Sequence, residues 1–158
     1  APNIAKDFRN AVLRRLLKLK AHRCTLPRLD YDFTGSPDLA QTIVVACCAM
    51  GVHFRFTGLA TLKIKETDRI EALKRELRKV GYVIRDENDN TLIWEGETCE
   101  PTHEPIDTYE DHRMAMAFAP LAFKFPQLQI NHPEVVTKSY PHFWEDLRSV
   151  GFIITEKA

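Results

Sequence analysis

Five polar or charged residues follow one another in "KETDR", Lys65 to Arg69. A second compact group, "DHR", spans Asp111 to Arg113. A lone lysine, Lys138, stands in "TKSY", and Asp38 follows Ser36-Pro37. Lysine and arginine at this density bind anions, phosphate above all, and acids in the same turns accept and donate protons. The combination suits a reaction in which cations hold a phosphate or carboxylate while a proton moves. Each group also has a plain structural account. An acid behind Ser-Pro is ordinary capping chemistry, and Glu66 and Asp68 would satisfy a helix dipole. Arg113 would make a surface pair, and a histidine such as His112 is more often satisfied than catalytic. His103-Glu104 with Asp111-His112 matches no metal-ligand spacing, so no metal site is expected.

These residues sit where strands run into helices. "LDYDF", Leu29 to Phe33, alternates as a strand does. Ser36-Pro37-Asp38 opens a helix that carries "LAQTIVVACCAM", stops at Gly51, and is apolar nearly all round, which predicts burial between layers. "VHFRF" reads as the next strand. "IKETDRIEALKRELRKVG" reads as an amphipathic helix ended by Gly81, with the charge cluster in its first turn. Lys65 and Arg69 would then be i,i+4 neighbours, with Glu66 between them and Ile70. "YVIRDE" and "TLIWEG" flank "NDN", a hairpin signal. Residues 4–20 have helical spacing, although "AVLRRLLKL" also reads as a strand.

The pattern then returns. "EDHRMAMAFAPLAFKF" is a second apolar helix entered through charges, "LQI" a short strand, and "SYPHFWEDLRSVGFII" a helix, a glycine stop and a strand. "ELRKVGYVI" (Glu76–Ile84) matches "DLRSVGFII" (Asp146–Ile154) at an offset of 70 residues. Upstream, a three-residue slip sets Asp38 against Asp111 and Lys65 against Lys138. This predicts an α/β fold of about two repeated βαβαββ units, the first over residues 28–97 and the second over 98–158, after a leading segment 1–27 without an assigned element. Helix N-termini recurring in both copies would build one charged, anion-binding face.

Bulk composition narrows the class. The 158 residues are 44% hydrophobic and 28% charged, with zero formal net charge. That is globular composition, with no global pull toward nucleic acid or an anionic membrane. No run is long and apolar enough for a membrane span, and no signal peptide is visible. Residues 1–28 are strongly basic, but no nucleic-acid motif accompanies them. Cys24, Cys47, Cys48 and Cys99 form no C-x-x-C pair. Cys47 and Cys48 lie in an apolar run and read as buried free thiols, which suits a cytoplasmic protein.

"SPDLAQT", "LKIKETDRIEAL", "TYEDHRMAMAFAPLA" and "TKSYPHFWEDL", in that order and spacing, closely resemble the C-terminal part of the 5-enolpyruvylshikimate-3-phosphate synthases, also called 3-phosphoshikimate 1-carboxyvinyltransferases. The resemblance runs from about Leu29 to the end. It implies most of one domain of a two-domain fold, whose partners would be the N-terminal domain of the same chain, phosphoenolpyruvate and shikimate 3-phosphate. It implies no metal or organic cofactor. Enolpyruvyl transfer to the 5-hydroxyl of shikimate 3-phosphate, with loss of phosphate, would be the reaction. Carried over by motif, Asp38 would accept the hydroxyl proton and Glu66 would exchange the proton at the phosphoenolpyruvate methylene. Lys65 would contact the shikimate phosphate substrate, and Arg69, Arg113 and Lys138 would clamp phosphoenolpyruvate. Thr61 stands where a common family pattern has Asn, and its hydroxyl can still hydrogen-bond the ring. Two alternatives stay open: an enolpyruvyl transferase acting on a nucleotide sugar, against which KETDR and DHRM count, and a non-catalytic binding module.

Overall fold

A computed structural model describes residues 28–65 and 67–156. The readings of residues 1–27, of Cys24 and of Glu66 therefore lie outside the described residues. The chain divides into two units, Leu26–Val136 and one that includes 137–156.

The first unit is α/β. Strands β1 (Leu29–Asp32), β2 (Phe54–Thr57), β3 (Arg85–Glu87) and β4 (Thr91–Trp94) form one sheet in the order β1-β2-β4-β3. β1 and β2 are parallel, and β4 is antiparallel to both β2 and β3. The parallel pair needs a crossover, which is helix α1 (Ala40–Met50). The antiparallel pair needs only a turn. Asn88 and Asp89, both at positive φ, supply it where "NDN" was expected to. β2 alternates cleanly: Phe54 and Phe56 point into the core with stacked rings 4.5 Å apart, while Arg55 faces Glu87 on the other side.

Helix α1 buries Ala40, Val44, Val45, Cys47 and Cys48, and Gly51 ends it in the left-handed conformation. The expected burial between layers is incomplete: Ile43 and Met50 of this helix are exposed. Helix α2 (Arg69–Lys79) buries Arg69, Ile70, Leu73, Glu76 and Leu77, the spacing of one helical face. It starts later than the sequence suggested. Ala60–Ile64 closes first as a 3-10 helix, Lys65 is extended, and the Asp68 side chain accepts the Glu71 N–H. That cap fixes Arg69 as the first helical residue, so Lys65 and Arg69 are not helical neighbours. Helix α3 (His112–Phe118) packs on α1 and continues as a 3-10 helix to Phe123.

The repeat is visible in the backbone. At the end of α2, Gly81 N–H donates to Arg78 O and Tyr82 N–H to Leu77 O. Helix α4 (Phe143–Ser149), in the second unit, ends the same way: Gly151 N–H donates to Arg148 O and Phe152 N–H to Leu147 O. Both glycines have φ near 100°, 96° and 102°, which side chains rarely adopt. The slip that sets Asp38 against Asp111 also sets Phe33 against Ile106 and Thr57 against Ile130. Phe33 N–H donates to Thr57 O, and Ile106 forms a parallel bridge with Ile130. In this second copy, pairing shrinks to that bridge. Neither "LQI" nor residues 152–154 form a ladder strand among the described residues, since a strand exists only where a neighbour completes its hydrogen bonds.

Burial pushes the Cys47 thiol up to about 11, and burial together with the adjacent Cys47 pushes Cys48 higher still. Both should resist a thiol reagent at neutral pH in the native state and react on unfolding. Rapid native labelling of the pair, read by mass spectrometry, would contradict this packing.

Candidate functional site

Three elements of the first unit bring the sequence-selected residues together. Asp38 lies in the 3-10 turn Pro37–Leu39 ahead of α1, Arg69 opens α2, and Arg113 is the second residue of α3. Lys65 reaches the same point from the extended link before α2. Asp38 is the hub. Its Oδ1 lies 2.8 Å from Arg69 Nη1 and 3.6 Å from Lys65 Nζ, and its Oδ2 lies 3.7 Å from Arg113 Nη2. Arg113 Nη1 also donates to the Asp38 carbonyl at 3.2 Å.

Behind the hub sits Asp111, which the sequence offered only as the first residue of "DHR" and the repeat partner of Asp38. Asp111 Oδ2 accepts from Arg69 Nε at 2.7 Å, and its Oδ1 accepts from Arg69 Nη2 at 3.3 Å. The same Oδ1 accepts the Arg113 N–H at 2.9 Å and so starts α3. Asp111 is 0% exposed and Arg69 2%, whereas the side chains of Asp38, Lys65 and Arg113 are 39%, 34% and 32% exposed. The signal that could have found this pair was the alignment of Asp38 with Asp111: both repeat acids grip one arginine.

The remaining sequence-selected residues fall elsewhere. Thr61 is exposed on the 3-10 helix Ala60–Ile64. Lys138 is exposed at the end of the 3-10 helix Pro133–Lys138 and belongs to the second unit. Both repeat lysines, Lys65 and Lys138, thus stand at the end of a 3-10 helix.

Electrostatics favour an ionised Asp38. Partial burial pushes its carboxyl up, but the charges of Arg113, Lys65 and Arg69 together outweigh that and hold it below the ordinary value. Arg69 and Asp111 cancel as a buried pair. What faces outward is one carboxylate with two cations, each about a third exposed. Such a group can bind phosphate or carboxylate and accept a proton from a hydroxyl beside it.

Residues 15–147 match the family described as EPSP synthase (3-phosphoshikimate 1-carboxyvinyltransferase). A Bacteroides fragilis 3-phosphoshikimate 1-carboxyvinyltransferase is 58% identical over 137 residues, which is 86% of this chain and 33% of that protein. Proteins of the same name from Psychromonas ingrahamii and Cellvibrio japonicus are 37% and 36% identical, over 84% and 82% of this chain and 31% and 30% of theirs. The chain belongs to the EPSP synthase family. It spans about a third of the length of the curated relatives it matches.

A carboxyl held below its ordinary value stabilises the fold above that value, and the contribution is lost as pH falls through the folded-state value. Asp38→Asn should therefore be less stable than the parent near neutral pH, and the two should converge on acidification below about pH 4. Urea titrations across pH check this, and a gap that widens in acid would contradict it.

Proposed function

We propose that this chain forms one wall of a 3-phosphoshikimate 1-carboxyvinyltransferase site. The reaction is transfer of the enolpyruvyl group of phosphoenolpyruvate to the 5-hydroxyl of shikimate 3-phosphate. One observation supports the reading above the others: Asp38, Lys65, Arg69 and Arg113, far apart in sequence, meet at one point in a chain of this family.

The chemistry is an addition followed by an elimination. In the addition, the 5-hydroxyl oxygen bonds to the carbon of phosphoenolpyruvate that carries the phosphate. Asp38, kept ionised by its three cations, takes the hydroxyl proton, and Glu66 delivers a proton to the methylene carbon. In the elimination, that carbon loses a proton back to Glu66, the bond from the adjacent carbon to the phosphate oxygen breaks, and the departing phosphate takes the proton held by Asp38, which restores both acids. Lys65 and Arg113, a third exposed, hold substrate anions; the family resemblance gives Lys138 the same task. Arg69, expected to clamp phosphoenolpyruvate directly, is enclosed by Asp38 and Asp111 and acts instead as a fixed charge behind them. Thr61 offers a hydroxyl to the ring. The cations matter most while charge shifts onto the departing phosphate.

The two substrates carry two phosphates and two carboxylates between them. Against that, the described cluster offers few cations, and each exposed pair is worth about 1 kcal/mol or less. Excluding water and adding cations from a second wall would raise this. The 158-residue chain by itself should therefore show no turnover. A chimera in which it replaces the matching third of the Bacteroides fragilis protein should release phosphate from phosphoenolpyruvate with shikimate 3-phosphate, and not with a nucleotide sugar. In that chimera Glu66→Gln should lower kcat by roughly 10²-fold or more with substrate still bound. An inactive, well-folded chimera would overturn the reading, and near-normal turnover of Glu66→Gln would remove Glu66 from it.

A further inference from the structure

The two repeat acids are not equivalent in their surroundings. Both contact Arg69, but Asp38 is 39% exposed and touches Lys65 and Arg113 as well, while Asp111 is fully enclosed. An enclosed carboxylate cannot reach a substrate. What it can reach is the guanidinium, through two oxygens, and the Arg113 N–H at the start of α3, through one of those same oxygens. Asp111 therefore fixes two things at once: the orientation and net charge of Arg69, and the helix start from which Arg113 points back at Asp38.

The geometry assigns Asp111 a positioning role: it neutralises Arg69 from behind and so preserves the proton-accepting strength of Asp38. The charge count makes this concrete. Three cations face Asp38, namely Lys65 from the link before α2, Arg69 from α2 and Arg113 from α3. Unopposed, all three would depress its basicity. With Asp111 on Arg69, the outward-facing cations dominate, and those are the ones a substrate anion engages. A weaker base accepts a hydroxyl proton less readily, so removing Asp111 costs turnover at a residue that never touches the reacting atoms. This consequence for turnover rests on the proposed function above, whereas the effect on Asp38 does not.

The variant that separates charge from capping is Asp111→Asn, since asparagine caps helices as well as aspartate does. On the 158-residue chain, carbon NMR of the Asp38 carboxyl should give a titration midpoint lower in Asp111→Asn than in the parent by roughly half a pH unit or more. The sign follows from charge: removing a negative group beside Arg69 strengthens that arginine's pull on Asp38. An unchanged or raised midpoint would overturn the assignment. If Asp111→Asn does not fold, the parent decides through its Arg69 Nε–H signal. Slow solvent exchange supports a guanidinium pinned by Asp111, and fast exchange overturns it. In the active chimera, Asp111→Asn should lower kcat about tenfold or more per folded molecule, with KM for phosphoenolpyruvate changed far less, and Asp111→Glu should recover part of the loss. Turnover within twofold of the parent would again count against the role. An inactive parent chimera would sink the proposed function and leave the NMR result standing, so the two failures are distinguishable.

Discussion

Arg69 is a guanidinium enclosed by protein, and its charge cannot be shed at any ordinary pH. Burying such a group costs several kcal/mol unless negative charge and hydrogen bonds answer it. Among the described residues, Asp38 ahead of α1 and Asp111 ahead of α3 both answer it. Shifting the start of α3 would leave the buried Arg69 charge without Asp111, a loss of about 3–5 kcal/mol when one partner of a buried pair is removed; the contact with the half-exposed Asp38 is screened by solvent and contributes less. The ion pair thus ties α1, α2 and α3 together at their N-terminal ends. Apolar packing of α1 on α3 would tolerate sliding, and the charged contact does not.

The same helix carries a second buried charge near its other end. Glu76 is fully enclosed, and it accepts from Lys79 at 2.7 Å, from the Tyr109 hydroxyl at 2.6 Å and from the Asp107 N–H at 2.9 Å. Lys79 in turn binds Asp107 and the Pro105 carbonyl. The stretch from Asp107 to Asp111 is therefore pinned to α2 at both ends, by Glu76 and by Arg69. Between those pins Tyr109 and Glu110 hold positive φ, 53° and 57°, a conformation that non-glycine residues adopt at a cost. Two polar anchors sustain that cost, and the result is a short rigid link that presents Asp111 to Arg69.

Much of this was legible in the sequence, for identifiable reasons. The parallel strand, crossover helix and hairpin of the first unit follow from alternation in "FRFT", the glycine after α1 and the "NDN" turn. The glycine stops of α2 and α4 follow from two matching stretches, and the backbone hydrogen bonds repeat with them. The start of α2 was misplaced because five charged or polar residues fit a first helical turn as well as they fit a link. Only the competition between the 3-10 helix at Ala60–Ile64 and the Asp68 cap settles it, and that competition is tertiary. Asp38, Lys65, Arg69 and Arg113 were found from their types and motifs. Asp111 was seen as the repeat partner of Asp38 but given no role, because a helix-start acid and an ion-pair partner look identical in one dimension. Glu76 and Lys79 have ordinary i,i+3 spacing, and nothing local marks the glutamate as buried.

That ambiguity shows how the duplicated unit came to be used. The repeat supplies the same acid at two helix starts, and sequence alone gives them equal standing. Burial separates them. The copy at Asp38 is part-exposed beside Lys65 and Arg113, where the proposed function needs a proton acceptor. The copy at Asp111 lies inside, where a free carboxylate would be prohibitive, so it survives only by pairing with Arg69. The arginine between them is shared, and each acid sets the field the other feels. The site proposed above, which would both hold anions and accept a proton, needs strong positive charge without a disabled base. One acid on each side of a single buried arginine is an arrangement that would meet both demands.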